Sequence, residues 1–309
     1  PDMRVDEAWK TGLDVLAITD HIEYKTNREY ITGDENTSYN LAKKRAVERG
    51  IILIKGTEIT RKQPIYGHFN ALFVKDSGTS VPIRRLDHGE TRLYLCGSPN
   101  PRQGAFVLWN HPAWAVDTCR IHEFQENLFK NKMIHGIEVF NNTEFYPRAL
   151  RWAHEKNLTV FSNSDVHTSI YANDGVHGAG CAVAVPYRRP MTIIFAKDRS
   201  QASIKEAMFS RRTLAFFDGY LAGDKQLLMD FCLACLSVSQ IAQNDTHITY
   251  RIDNRYDIPF LLSYGKSKVL LSPNRSLDIK LEKTVDKLKL DLENVFVDEF
   301  QTLSMSLSL

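Results

Sequence analysis

Two hydrophobic patterns divide the chain. Up to about residue 223, short runs that are apolar at every position alternate with segments whose apolar residues recur three or four apart. Beyond about residue 233 the runs instead alternate apolar and polar with period two. A run apolar throughout suits a strand covered on both faces, and the three-to-four spacing marks a helix stripe. The first pattern predicts strands at 13–19, 51–54, 67–74, 106–109, 136–140, 158–161 and 191–196. Helices are expected at 1–10, 38–50, 121–130, 142–157 and 200–210. Gly12 breaks the first helix, Ser38 can cap the second and Gly50 close it, and Pro147 suits a first turn. Strands alternating with helices imply an α/β chain with a parallel sheet, and this many units favour closure into a barrel.

The second pattern predicts strands at 236–240, 247–252, 259–264, 268–271, 276–281, 287–297 and 301–309, punctuated by Asp253, Asn254, Gly265 and Asn274. Such a series reads as a small all-β, sandwich-like domain. The expected division is therefore a barrel over 1–223 and an accessory β domain over 224–309, the latter with a single histidine, His247. A long polar loop, 76–103, is expected to serve function rather than simple connection, and a second loop spans 168–189.

Composition narrows the function classes. With 43% hydrophobic residues the 309-residue chain can bury a sizeable core. Lys plus Arg number 39 against 37 Asp plus Glu, and a net charge of +2 makes no electrostatic case for a nucleic-acid partner. Five scattered cysteines, Cys96, Cys119, Cys181, Cys232 and Cys235, do not form a disulfide framework. Cys232-Leu-Ala-Cys235 has redox spacing but an apolar context, so both are expected to be buried. No apolar run approaches the roughly 20 residues that span a bilayer. The sequence starts at Pro1 rather than Met, so further residues are expected upstream and the compartment stays open.

The candidate chemistry lies at the strand ends. Asp165 and His167 follow the 158–161 run, and residues two apart on an extended segment face the same side. Asp20-His21, Glu58, His68 and Asn110-His111 end, begin or follow four other strands. Imidazole and carboxylate ligands suit Zn, Mn or Fe, and two ions about 3.5 to 4 Å apart can clamp the attacking and leaving oxygens of a displacement. Glu58 could bridge ions, with His21, His68, His111, Asp165 and His167 supplying further ligands. Asp20, the candidate catalytic acid, either orients a ligand or caps a helix. Glu138 either faces the pocket or anchors a loop. His122, His135 and His154 read as structural. Trp109 and Phe140 read as packing, and Trp114 packs or walls the pocket. Among His88, His177, Arg61, Arg84, Arg85, Arg188 and Arg189 nothing in the sequence selects a phosphate contact.

Ile18-Thr-Asp-His21, Gly56-Thr-Glu58, Gly67-His68, Asn110-His-Pro112, Gly136-Ile-Glu-Val-Phe-Asn141 and Ser164-Asp-Val-His167 together resemble, in order, the motifs of the PHP (polymerase and histidinol phosphatase) superfamily of metal-dependent phosphoesterases. The resemblance covers roughly 1–223. It implies a distorted seven-stranded β/α barrel with two or three divalent ions at the C-terminal ends of its strands. By that resemblance Glu58 bridges two ions, Asp165 binds the first, His68 and His111 bind the second, and His21 and His167 serve a third. The family's opening His-x-His is expected upstream of Pro1. The implied activity is hydrolysis of a small phosphorylated substrate by a metal-bound hydroxide of lowered pKa. Two alternatives stay open: a catalytically impaired barrel that binds through its β domain, and hydrolysis of another bond at the same site.

Overall fold

In the computed structural model, which describes residues 1–22, 33–60, 65–77, 104–114, 116, 119–167, 169–170 and 189–309, the strands of the first half of the chain build one sheet. α1 (Asp2–Lys10) leads into β1 (Val15–Ile18), and α2 (Thr37–Arg49) returns the chain so that β2 (Ile52–Thr60) pairs parallel to β1. β3 (His68–Leu72) and β4 (Phe106–Asn110) follow, and α3 (Glu123–Lys130) leads to β5 (Gly136–Asn141), parallel to β4. The two-residue β6 (Glu144–Phe145) folds back on β5. α4 (Pro147–Lys156) then delivers β7 (Thr159–Asn163), also paired parallel to β5.

Two expectations change here. β3 is antiparallel to both β2 and β4, so the sheet is mixed rather than parallel. Only residues 61–67 join β2 to β3, whereas a parallel crossover needs a dozen or more. The fourth helix starts at Pro147 and not at residue 142, because Asn142 sits in left-handed backbone (φ 52°) at the turn between β5 and β6.

The sheet curls into a half-barrel. Inward side chains of four strands, Ile54, Leu72, Phe106, Leu108 and Phe161, meet in one cluster with Ile204 and Met208 of α5 (Gln201–Phe209). Gly136 permits that closeness: a Cβ there would lie 2.9 Å from the Phe161 ring and 3.0 Å from the Phe106 ring. The outward face of the same strands packs Phe69, Trp109, Ile137 and Val160 against Leu128 of α3 and Ala149, Leu150 and Trp152 of α4. Both faces are covered, which is why the strand sequences carry so little alternation.

A second sheet contains β8 (Met191–Ile194), β9 (Thr213–Phe217) and β10 (Tyr220–Gly223), strands that the pattern grouped with the barrel segment 1–223. α6 (Lys225–Cys235) follows, capped by the Asp224 carboxylate, which accepts from the backbone N–H of Gln226 and Leu227. The remaining strands are β11 (Leu236–Gln243), β12 (His247–Asn254), β13 (Phe260–Tyr264), β14 (Ser267–Leu271), β15 (Ser276–Glu282), β16 (Lys287–Asp298) and β17 (Gln301–Ser308). The second sheet runs β14-β13-β16-β10-β9-β8 with β17 on β16, and β11-β12-β15 form a third. β7 meets β8 and β9 through side-chain bonds: Thr192 Oγ1 bridges Ser162 N and O, Ser162 Oγ donates to Phe216 O, and Thr213 Oγ1 donates to Val160 O. Cys232 and Cys235 are buried and unbonded on α6, as expected. Among the described residues no helix is long and apolar enough to cross a membrane.

His135 is structural, and it makes stability depend on pH. Its Nδ1 accepts the Val107 N–H at 3.0 Å, and its ring packs against Phe106 and Phe209. Burial pushes its pKa down from 6.5 to about 4. The unfolded chain therefore takes up a proton before the folded one does. Stability present above pH 6.5 is lost as the pH falls from there towards 4, with a slope of up to about 1.4 kcal/mol per pH unit. His135→Asn keeps an acceptor without that titration. Urea midpoints of the variant measured between pH 7 and pH 4.5 are expected to fall less steeply than those of the wild type.

Candidate metal centre

Along each strand of the half-barrel the inward positions change from apolar to polar towards the same rim. On β2 they run Ile54, Gly56, Glu58, Thr60; on β4, Phe106, Leu108, Asn110; on β7, Phe161 then Asn163. β3 runs the other way, so its first residue, His68, reaches the rim at which its neighbours end, opposite Thr60 on one side and Asn110 on the other. His21 arrives by an extension of the β1–β2 ladder, where Glu58 N donates to Asp20 O and Ile22 N donates to Glu58 O. His111 follows β4 at φ 26° and Asp165 follows β7 at φ 50°, two non-glycine residues in left-handed backbone beside the same rim.

The closest grouping is Glu58, His68 and His111, each of which offers one ligand atom within 4.8 Å of the other two. His68 Nδ1 lies 3.1 Å from Glu58 Oε1, and His21 Nδ1 lies 3.7 Å from the same oxygen. The His68 and His111 rings are 4.8 Å apart, and the His21 ring is 5.8 Å from His167. His167 Nδ1 stands 2.8 Å from the Asp165 carbonyl and 3.8 Å from its carboxylate. The structure thus brings His21, Glu58, His68, His111, Asp165 and His167 into one chain of neighbours. Asp20 lies beside them with an exposed side chain, and its backbone carbonyl takes the Glu58 N–H and the Thr57 hydroxyl.

Electrostatics fit this grouping. Burial alone would raise the Glu58 carboxyl, but the His68 hydrogen bond and the nearby His21 and His111 hold it below its usual range. Burial depresses His111 despite the opposing charges of Asp165 and Glu58, which keeps its imidazole neutral and able to ligate. His111 Nδ1 is buried with no hydrogen-bond partner among the described residues, and so are Oδ1 of Asn70 and Oδ1 of Asn110. Asn70 and Asn110 are the cross-strand neighbours of Glu58 and His68. An orphaned buried acceptor costs about 1–3 kcal/mol, and a cation among these atoms would remove that cost. The donor set therefore fits a divalent ion.

Glu138 supports the rim from below. It is fully buried on β5, where its Oε2 accepts from His111 N (2.6 Å) and Asn141 Nδ2 (2.8 Å) and its Oε1 accepts from Asn163 Nδ2 (2.7 Å). Burial lifts its pKa to about 8. Thr60, whose hydroxyl bonds His21 Nδ1, and Asn163 were not singled out in the sequence, although both occupy inward positions next to ones that were. Trp114 stands at the site, its ring 5.6 Å from His68 and 5.5 Å from His111. Arg189 is elsewhere, donating to Thr11 Oγ1 and to the Glu7 carbonyl on α1. His88, His177, Arg61, Arg84, Arg85 and Arg188 lie outside the described residues. A cleft of about 510 Å³ opens near the other end of β7, but Arg211 and Arg212 in its lining already bond Asn157 and Glu206, and we assign it no chemistry.

Imidazoles and acids on one rim of a curled α/β sheet form a candidate metal-binding group. Among solved structures, the chain matches a two-domain protein from Bacteroides vulgatus containing a predicted PHP-like metal-dependent phosphoesterase, with 32% identity and a TM-score of 0.84 over 100% of this chain and 90% of that one. It also matches, at 18% identity and a TM-score of 0.39, a candidate metal-dependent phosphoesterase from Bifidobacterium adolescentis, over 55% of this chain and 82% of that one. No family model and no curated protein sequence matches it. On the first of these likenesses, the chain belongs to the family of PHP-like metal-dependent phosphoesterases.

Proposed function

We propose that this protein hydrolyses a phosphate ester of a small molecule with two or three divalent ions of Zn, Mn or Fe. The observation that carries this reading is the Glu58–His68–His111 grouping, within 4.8 Å, in a chain 32% identical along its whole length to a PHP-like protein. Glu58 would bridge ions, with Asp165, His68 and His111 as further ligands and His21 and His167 completing another position. When bound, such ions lower the pKa of a water near 7 and neutralise charge on phosphoryl oxygens. The chain's own part is orientation. Glu138 fixes the His111 backbone, Thr60 orients the His21 ring, and the Asp20 carbonyl holds the strand that carries Glu58. The exposed Asp20 carboxylate, next to His21, is proposed to carry protons at the mouth. We further read 1–223 as a distorted seven-stranded β/α barrel and 224–309 as an accessory β-sandwich domain.

The test is reconstitution with Mn, Zn or Fe followed by assays on p-nitrophenyl phosphate and bis(p-nitrophenyl) phosphate. Metal-dependent hydrolysis is expected, removed by a chelator and lost in both Asp165→Asn and His111→Ala. Unchanged rates in the two variants would reject the site.

Glu138→Gln probes the support beneath the ligands. The amide keeps the shape but puts a donor where an oxygen now accepts. Metal affinity, measured by competition with a chromogenic chelator, is expected to fall about 10- to 100-fold. Wild-type affinity would show that His111 needs no such anchor.

A further inference from the structure

We propose that Trp114 is the platform on which the leaving group of the ester lies, and that the preferred substrates are phosphate esters of planar, aromatic alcohols. This rests on the phosphoesterase reading of the same site. The indole stands beside His68 and His111, two of the proposed ligands. Trp114 N donates to the His111 carbonyl at 2.9 Å, Val116 N donates to Ala113 O at 3.3 Å, and the intervening Pro112 is buried. The backbone of Trp114 is therefore tied through a short turn to that of a proposed ligand. The indole ring centroid lies 5.6 Å from that of His68 and 5.5 Å from that of His111, the two imidazoles assigned to one ion. A group held beside those two imidazoles would have the indole as its neighbour.

Trp114 differs in exposure from the buried tryptophans of the half-barrel, and it differs from the equally exposed Trp9 of α1 in standing against proposed ligands. Trp109 and Trp152 show what packing looks like in this fold: their rings stack 5.8 Å apart and are 1% and 8% exposed. Trp114 is 48% exposed, and its contacts with the two imidazoles are tilted or edge-on. Its open surface is flat and apolar, the geometry that stacks on an aromatic ring. Glu58, His21, His68, His111 and Asp165 all suit metal ions. Trp114 adds an apolar surface for the rest of the molecule.

Binding of two inert phosphonates to the metal-loaded protein tests the proposal without turnover. Calorimetry with phenylphosphonate and methylphosphonate is run on wild type, Trp114→Ala and Trp114→Phe, with metal content measured for each. Wild type is expected to bind phenylphosphonate about 10-fold or more tighter than methylphosphonate, as stacking on one indole allows. Trp114→Ala should bring the ratio to within about 2-fold by weakening phenylphosphonate alone, and Trp114→Phe should retain most of the preference. No preference in wild type, or the same preference in Trp114→Ala, overturns the platform. So does loss of metal from Trp114→Ala, which would make the indole a support for the ligands. If the loaded wild type binds neither phosphonate, the phosphoesterase reading itself fails.

Discussion

Glu58→Gln is expected to lower phosphate-ester hydrolysis on the order of 1,000-fold and to cut bound metal, with little change in thermal midpoint. Glu58 is 5% exposed, and one of its oxygens faces both His68 at 3.1 Å and His21 at 3.7 Å. It is the one carboxylate in the tight grouping with His68 and His111. An amide of the same shape packs equally well, but it has no net charge and offers one acceptor instead of two. Of the two carboxylates proposed as ligands, only Asp165 would then be left to offset the charge of the ions. Elemental analysis, initial rates and a melting curve on one preparation separate the outcomes. A variant that keeps wild-type metal and rate would remove Glu58 from the site. A variant that unfolds would mark it as structural.

A wild-type result for Asp20→Asn would not be equivalent. The Asp20 side chain is exposed, and what the residue contributes to the ladder is its backbone carbonyl, which the substitution keeps. Any loss of rate in Asp20→Asn would therefore report the carboxylate itself, and is expected to be smaller than that of Glu58→Gln.

Parts of this site were legible in the sequence because chemistry interrupts the apolar strands at their ends. Asn110-His111 closes an apolar run, and Asp165 and His167 lie just beyond another, although not on the extended segment expected, since β7 ends at Asn163 and Asp165 is in left-handed backbone (φ 50°). The direction of β3 was not legible: strands at 51–54 and 67–74 leave residues 55–66, enough for a crossover, and it is the extension of β2 to Thr60 that shortens the link to 61–67. Glu138 was not readable. Every residue of β5 is buried, so periodicity cannot say which face an acid on it serves. The same blindness hid the sheet of β8, β9 and β10. Their contacts with β7 run through the hydroxyls of Ser162, Thr192 and Thr213, which look like ordinary strand residues. α6 left a signal that went unread: Asp224 as cap, then Leu228, Cys232 and Cys235 at helical spacing. Its cysteine pair drew attention to redox spacing, although the two thiols are there to fill the core of the second sheet.

Trp109→Ala is expected to be the most destabilising single change in the half-barrel, costing about 3–5 kcal/mol. Trp109 is 1% exposed on the outward face of β4, stacked 5.8 Å from Trp152 of α4 and 6.5 Å from Phe69 on β3, with Phe129 of α3 at 6.2 Å. One ring thus bonds two helices to two strands, and no neighbour is small or flexible enough to fill the space it would leave. The urea midpoint should fall with the slope unchanged, since the surface exposed on unfolding is nearly the same. A loss below about 1 kcal/mol would mean that the helices can close over the gap. The consequence should reach the site as well, because Trp109 points outward from the same strand whose next two residues, Asn110 and His111, point to the rim. In a variant that stays folded at low temperature, a loosened β4 is expected to weaken metal binding before it unfolds the protein. Trp109→Phe, which keeps a ring against Trp152, should lose less of both.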